Sequence, residues 1–492
     1  MHMPKGWIDS KVGDVFAVIG GGTPSTKILE YWDGCIPWIT SADIQPNHEI
    51  VPRKYITKLA VENSTTNIVP QGSLVVVTRV GLGKIGLAAT ELCFSQDCQA
   101  LLGEPDLIDS KFALYQLSLL VQDFLSSSRG TTIAGVTKKQ LLDTLFCIPP
   151  LAEQHRIVAK LEELFSELDK GVETLKTARE QLKIYRQAVL QAAFAGKLTE
   201  EWRNGQQGLP TGGMLLKQIS LEREKQHKLL GKKAKDIACL SEEELAVLPI
   251  LPEQWHWGKL AIMAEIIGGI TKGRDFKDKK IITLPYLRVA NVQDGYLDLR
   301  EMREIELLED EKEKYLLRKN DILYTEGGDK DKLGRGTIWN DEVKDCVHQN
   351  HIFRARIYGG MLVPKYVAYF SQTKTAKNYF YKSAKQTVNL ASINMTVLSN
   401  LPMPVPNVFE QQKIVAEIET RLSICDKFEE AIEQSLAQSE ALRQSILKRA
   451  FAGKLVPQDP SDEPAAKLLA RIRAERADKT PEKKTTKGRT KK

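Results

Sequence analysis

One string in the chain has residue types suited to metal-dependent nuclease chemistry. Pro105-Asp106 is followed by Asp109 and Lys111, and paired carboxylates are the hard oxygen ligands that Mg²⁺ prefers. Only two residues separate the carboxylates, which is too few for a hairpin that aims both at one ion. We therefore interpret the string as a loop, and we predict no catalytic residue and no metal site in this chain.

Other catalytic signatures are missing from the sequence. It contains no GxxxxGK[ST] phosphate loop and no HExxH zinc motif, and the single Pro-Pro pair at 149–150 lacks the flanking residues of a methyl-transfer motif. The seven cysteines are scattered and never spaced as CxxC, which argues against a disulfide framework or a zinc knuckle. These observations favour a binding protein over an enzyme.

Two glycine-rich loops, at 78–86 and 326–336, each follow an apolar strand-like run. Glycine lets a backbone approach a phosphate closely, and Arg or Lys can donate to phosphate or to guanine O6 and N7. Any β-hairpin also needs glycine in its turn, so an ordinary solvated loop is the alternative. The candidate DNA-binding residues of these loops are Thr78, Arg79, Lys84, Glu326, Lys330, Lys332 and Arg335.

Polar residues end a strand-like run 35 residues upstream of each glycine-rich loop. PWITSADI at 37 aligns with PYLRVANV at 285, at an offset of 248 residues. The polar side chains in these strings suit hydrogen bonds to base edges, or they merely close a turn. They are Thr40, Ser41, Asp43, Arg288 and Asn291.

The alignment of these strings is part of a tandem repeat. Residues 153–198 match residues 410–455 without a gap at 20 of 46 positions, including the whole of AFAGKL. The globular blocks that precede these segments have diverged until only short strings align. A constant scaffold with two divergent heads suggests two domains that recognise different ligands.

The best-matched segments predict two long helices. Apolar residues recur every seven positions in the first copy and less regularly in the second, and each helix of about 60 Å needs a partner for its apolar stripe. By itself such a stripe indicates only a spacer or an oligomerisation device. The residues expected to form the helix-pair and partner scaffold are Ile157, Leu161, Leu164, Leu168, Leu175, Leu182, Ile414, Ile418, Leu422, Phe428, Ile432, Leu442 and Ile446.

The predicted fold class is α+β, with two globular domains separated by two long antiparallel helices in a pseudo-two-fold tandem repeat. Short β-branched runs between Gly, Pro and Asp turns alternate with helical stretches in each head. The expected segments are an N-terminal head (1–150), a first long helix (151–198), a linker with a short helix (199–252), a C-terminal head (253–406), a second long helix (407–455) and a short helix with a basic tail (456–492).

Composition and charge add few constraints on function. The chain has 492 residues, too many for one domain, and a net charge of +7. That surplus lies in residues 471–492, which hold ten Lys or Arg and three acidic residues. A basic terminus is either a solvated tail or a segment that binds phosphates. No run is long and apolar enough to cross a membrane and no secretory signal is recognisable, so we expect a cytoplasmic protein.

The doubled motif resembles the specificity subunit of type I restriction-modification systems. The residues that carry the resemblance are PLAEQHRIVAKLEELF and PNVFEQQKIVAEIETRL, each followed by AFAGKL, together with QGSLVVVTRVGLGKIGLAA. The resemblance covers nearly the whole chain. It implies a non-catalytic protein in which each of two target-recognition domains reads one half of a bipartite double-stranded DNA target, while the helices set the unread spacer.

The resemblance also implies partners and cofactors. We expect two methyltransferase subunits and, for cleavage, restriction or motor subunits, with S-adenosylmethionine, Mg²⁺ and ATP held by those partners and none by this chain. The heads carry little net charge, so we expect tight DNA binding only with the partner subunits. Two other hypotheses stay open: a coiled-coil adaptor whose heads bind proteins, and a cryptic nuclease or methyltransferase.

Overall fold

A computed structural model of the chain describes residues 4–127, 136–231, 233–276, 279–328, 333–386 and 391–478. The chain forms two compact units. Unit 1 comprises residues 1–175 and 434–492, and unit 2 comprises residues 176–433. Each unit therefore combines one head with part of both long helices.

The helices lie in three kinds of segment: the two heads, the two long helical segments, and the stretch that follows each long helix. In chain order they are α1 (Val12–Val15), α2 (Lys58–Glu62), α3 (Ser110–Ser127), α4 (Lys138–Asp143), α5 (Leu151–Phe194), α6 (Glu200–Asn204), α7 (Gly212–Leu229), α8 (Glu242–Ala246), α9 (Leu260–Met263), α10 (Lys312–Tyr315), α11 (Pro364–Ser371), α12 (Lys374–Ser383), α13 (Met395–Ser399), α14 (Val408–Phe451) and α15 (Ala465–Asp478).

The strands belong to the heads. In the first head they are β1 (Ile8–Lys11), β2 (Phe16–Gly20), β3 (Trp32–Ile39), β4 (Glu49–Ile50), β5 (Lys54–Ile56), β6 (Ile68–Val69), β7 (Leu74–Val77), β8 (Ile85–Ala88), β9 (Leu92–Phe94), β10 (Cys98–Gly103) and β11 (Leu145–Ile148). In the second they are β12 (His256–Lys259), β13 (Ala264–Gly268), β14 (Ile281–Leu287), β15 (Arg303–Leu308), β16 (Ile322–Thr325), β17 (Gly327–Gly328), β18 (Gly336–Ile338), β19 (Val347–His348), β20 (Ile352–Ile357), β21 (Lys385–Gln386), β22 (Ala391–Ser392) and β23 (Pro402–Val405).

The two heads share a common sheet topology, to which the first head adds the edge strands β4 and β6. The first has sheets of order β2-β10-β7-β8-β4 and β5-β3-β9-β6, and the second has β13-β20-β16-β18 and β15-β14-β19. β3 pairs with β9 in parallel, as β14 does with β19, and β1 pairs with β11 as β12 does with β23. The second head adds a small sheet, β17-β22-β21. The shared topology confirms the tandem repeat and the α+β class.

The hairpin β7–β8 shows how the sequence builds a head. All eight of its residues are buried, which suits a β-branched strand covered on both faces. Side chains alternate across a strand, so Leu74 and Val76 enter one apolar cluster while Val75 and Val77 enter another. The hairpin is thereby fixed from both sides, and its loop is presented from a rigid base.

The long helices α5 and α14 have 44 residues each. In unit 2 they run antiparallel, because Arg179 pairs with Glu433 at 2.9 Å while Arg186, further along α5, pairs with Asp426 at 2.6 Å. In unit 1 Arg443 pairs with Asp169. Both helices are therefore partnered within each unit, as the apolar stripe predicts.

The predicted stripe is only partly buried. Ile157, Leu161, Ile414, Ile418, Ile432 and Ile446 are buried, and Leu164, Leu168, Leu175, Leu182 and Leu422 are half-buried. Phe428 and Leu442, however, are 58% and 51% exposed, so they do not lie in the buried part of the helix pair. Phe428 lines a groove on the helix pair of unit 2 together with Leu182 and Ile432.

The short helix after each long helix packs against the head of its own unit. Leu215 and Ile219 of α7 join the core of unit 2, and Leu468 of α15 joins the core of unit 1. The first backbone amide of each helix donates to a matching carbonyl: Gly212 to Gln254 at 2.9 Å in unit 2, and Ala465 to Gly6 at 3.1 Å in unit 1. The C-terminal helix thus completes the N-terminal head.

Candidate nucleic-acid interface

The loop between β7 and β8 is the first candidate element. Gly81 and Gly83 have φ values of 86° and 96°, a left-handed backbone that favours glycine. Arg79 is exposed on this loop. Thr78 is buried, and its backbone N–H donates to the Asp97 carbonyl at 2.9 Å. Arg79 is therefore free to meet a ligand, whereas Thr78 anchors the loop.

The turn that follows β3 is closed by its own side chains. The Thr40 backbone N–H and hydroxyl both donate to Asp43 Oδ2, at 2.8 and 2.9 Å. The Asp43 backbone N–H donates back to the Thr40 carbonyl at 3.1 Å. These contacts give Thr40 and Asp43 the turn-closing role that the sequence left open as the alternative to base contacts.

The structure brings this turn and the glycine-rich loop together. Lys84 Nζ donates to the Ser41 carbonyl at 3.3 Å. A second bond runs from the Asn47 backbone N–H to the Ile85 carbonyl at 3.0 Å. Lys84 keeps part of its side chain exposed, so this head presents a cation where the loop meets the turn.

The second head closes the matching turn with different residues. The Arg288 backbone N–H donates to Asn291 Oδ1 at 2.9 Å, and Asn291 Nδ2 donates to the carbonyls of Asp298 and Glu301 at 2.8 and 3.1 Å. Asn291 is 2% exposed, so its amide is committed to the turn. The Arg288 guanidinium also donates to the Glu301 carbonyl, at 2.9 Å.

Arg335 occupies the place of Lys84, since each is the residue immediately before the second strand of its hairpin. Its Nη1 donates to Gln293 Oε1 at 2.6 Å, and its backbone N–H donates to Thr325 Oγ1 at 3.2 Å. Sequence reasoning missed Gln293. The available signal was the position directly after the aligned strings, where Gln45 and Gln293 stand at the same offset of 248 residues.

Glu326 directly follows the first strand of the second hairpin and is joined to His351. His351 Nδ1 lies 2.5 Å from Glu326 Oε2, and the Glu326 backbone N–H donates to the His351 carbonyl at 3.0 Å. His351 is a second exposed polar residue that sequence reasoning missed. Lys330 and Lys332, predicted on this loop, lie outside the described residues.

Buried charges hold the second hairpin from beneath. Asp321 is 1% exposed, and Arg356 donates to both of its carboxylate oxygens at 2.7 Å. His348 in β19 is also fully buried, and this burial lowers the pKa of the imidazole to about 3. The first strand of the hairpin that carries Arg335 is thus anchored by a buried ion pair.

The nuclease-like string has structural contacts. Asp109 Oδ1 accepts from the Phe112 backbone N–H at 2.8 Å at the start of α3, and Lys111 pairs with Glu162 at 2.6 Å. Within the described part of the chain, no group of three or more His, Cys, Asp or Glu side chains could hold a metal ion. No described helix is both long and apolar enough to cross a membrane.

Comparison with known proteins gives consistent matches. The family model described as "Type I restriction modification DNA specificity domain" matches residues 4–177 and 252–438. The type I restriction enzyme EcoKI specificity subunit of Escherichia coli K12 is 26% identical over 494 residues, which span 96% of each chain. The StySPI specificity subunit of Salmonella potsdam has the same identity and coverage.

The fold also matches a solved structure from work on complex assembly and conformational transition of the type I R-M system. The TM-score is 0.63 at 18% identity, over 92% of this chain and all of that one. The family model matches one segment in each repeat and together more than half of the chain. This chain therefore belongs to the family of type I restriction-modification specificity subunits.

Proposed function

We propose that this chain recognises a bipartite, asymmetric DNA target, with one half-site read by each head. It docks methyltransferase and restriction subunits and does no chemistry itself. The observation that carries the proposal is the repeated contact between hairpin loop and strand-end turn. Lys84 meets Ser41 in one head and Arg335 meets Gln293 in the other.

The difference between these two contacts supports an asymmetric target. A lysine ammonium is a compact point charge, whereas arginine presents a planar fork that suits bidentate contact with guanine. The first head carries Arg79 on the same loop as Lys84, and the second has the Glu326–His351 pair next to Thr325, to which Arg335 is bonded. Two heads that share a topology but present different donors and acceptors select different base sequences.

An apolar surface on the helix pair of unit 2 supports partner docking. A pocket of about 390 Å³ lies there, and Phe428 and Tyr185 on its wall are 58% and 48% exposed. Large apolar side chains exposed together mark protein-binding surfaces. The lining residues are Ala178, Gln181, Leu182, Tyr185, Phe428 and Ile432. The methyltransferase subunit is the partner we assign to this surface.

The chemistry belongs to the partners in this proposal. S-adenosylmethionine serves the methyltransferase subunits, and Mg²⁺ and ATP serve the restriction subunits. The candidate residues of this chain are instead hydrogen-bond donors and acceptors for phosphates and base edges.

The test is DNA binding measured by electrophoretic mobility shift, with and without the cognate methyltransferase subunits. We expect weak binding by the isolated chain and tight, sequence-selective binding by the complex. An Arg79→Ala, Lys84→Ala variant should weaken binding and flatten its dependence on salt concentration, because phosphate contacts release counterions. Absence of binding under both conditions would favour the adaptor hypothesis.

Labelled S-adenosylmethionine separates the proposal from the cryptic-enzyme hypothesis. The isolated chain should transfer no label to DNA, whereas the complex should methylate it. Label transfer by the chain alone would contradict its assignment as a non-catalytic subunit.

A further inference from the structure

We propose that Gln293 is a positioning residue that aims Arg335 at a guanine in the half-site of the C-terminal head. This rests on the proposed function and names one base and the two residues that select it. The argument begins with the amide of Gln293, whose two polar atoms have different partners.

The orientation of the Gln293 amide follows from the chemistry of those partners. A guanidinium can only donate, so the amide oxygen must face Arg335 Nη1, at 2.6 Å. The amide nitrogen then donates to the Ala290 carbonyl at 2.8 Å. Because both ends are bonded, the oxygen that accepts from Arg335 has a fixed position.

The backbone around the pair is also fixed. The Gln293 N–H donates to the Tyr296 carbonyl, and the Gly295 N–H donates to the Gly336 carbonyl, both at 3.0 Å. These bonds tie the 293–296 turn to the strand that begins immediately after Arg335. The guanidinium therefore extends between two joined backbone segments, and its side chain is half-buried rather than loose.

Among the described residues the Arg335 guanidinium makes one hydrogen bond, through Nη1, which leaves other donors for a ligand. Arginine presents five N–H groups in a rigid fork, and two of them match guanine O6 and N7. Holding the fork at one corner reduces the side-chain freedom lost on binding. Loss of the Gln293 contact should therefore reduce discrimination at a single base pair.

The N-terminal head provides a matched control. Gln45 occupies the position of Gln293, and the Asn47 N–H ties its turn to Ile85 as Gly295 ties the other turn to Gly336. The cation of that head, Lys84, instead donates to the Ser41 carbonyl. Gln45→Ala thus removes the same side chain without removing an acceptor from the cation.

The experiment measures methylation of the cognate site and of single-base variants by the full methyltransferase complex. Long-read sequencing of methylated DNA first defines the target. We expect a guanine in the half read by residues 253–406, and Arg335→Ala should abolish discrimination there. Gln293→Ala should lower discrimination at that guanine about tenfold and leave the other positions intact. Gln45→Ala should leave this half-site unchanged.

Gln293→Glu distinguishes positioning from a merely structural role. Glutamate loses the donor to Ala290, but its charge strengthens the bond to Arg335 and keeps the carboxylate there, so it should retain more discrimination at the guanine than alanine does. Equal loss in Gln293→Ala and Gln293→Glu, uniform loss at every position, or a C-terminal half-site without guanine would each overturn the proposal. If exchange of residues 253–406 leaves the target unchanged, the proposed function fails instead.

Discussion

Glu410 is a buried carboxylate with three side-chain donors, and its neutralisation should destabilise unit 2 strongly. The residue is fully buried and accepts from Thr199 Oγ1 at 2.8 Å, Arg203 Nη1 at 2.6 Å and Trp255 Nε1 at 2.9 Å. Arg203 is itself only 12% exposed. Glu410→Gln would leave that guanidinium without its counter-charge.

The expected size of the effect follows from the burial of both partners. Breaking a buried ion pair by removing one charge costs about 3–5 kcal/mol, and the slight exposure of Arg203 favours the lower end. For a unit of this size, about 3 kcal/mol lowers the midpoint of thermal unfolding by about 6–12 °C. Tryptophan fluorescence can report the transition, because Trp255 contacts the substituted residue.

The tandem repeat supplies the control for this experiment. Glu153 is the equivalent residue of unit 1 and is equally buried, but Pro460 stands at the position that corresponds to Arg203. Within the described residues, Glu153 Oε1 has no hydrogen-bond partner. Glu153→Gln should therefore leave the unfolding midpoint nearly unchanged or raise it at pH 7. Equal losses in both variants, or a loss below about 2 °C for Glu410→Gln, would refute the reasoning.

Three further predictions concern stability. Burial raises the pKa of the Glu153 carboxyl above its usual 4.5. Its contribution to stability is therefore present at low pH and is lost as pH rises through the folded-state pKa. Glu153→Gln should flatten this decline when the free energy of unfolding is measured with urea at a series of pH values. The pKa of His348 falls to about 3 on folding, so stability should drop as pH falls from 6.5 towards 3, and His348→Asn should reduce that drop in the same assay. Gly171 is an exposed residue of α5, and a Cβ added there would meet open space. Because alanine favours a helix more than glycine does, Gly171→Ala should raise the free energy of unfolding by about 1 kcal/mol. A lower free energy of unfolding would contradict the helix assignment.

Much of the fold was predictable because it depends on local patterns. The repeat and the apolar stripe locate two long helices, which the structure places at Leu151–Phe194 and Val408–Phe451. The packing of α7 and α15 was not predictable, because the sequence places each helix after a long segment without indicating which head it covers. The exposure of Phe428 and Leu442 was not predictable, because it depends on the actual curvature and pairing of the helices.

The candidate site was predictable as a set of segments rather than as a set of contacts. The alignment of the strand-end strings located both turns, but it could not show that Asp43 and Asn291 use their side chains to close them. It also could not show that Gln293 accepts from Arg335. Such contacts depend on loop conformation, which residue spacing does not determine.

The measurement that tests the account most directly is the methylated target of a chain in which residues 1–150 are replaced by the corresponding head of another family member. The complex with its methyltransferase subunits should methylate a hybrid target, in which one half changes and the half read by residues 253–406 is retained. Replacement of both halves, or retention of both with full activity, would contradict the assignment of one half-site to each head.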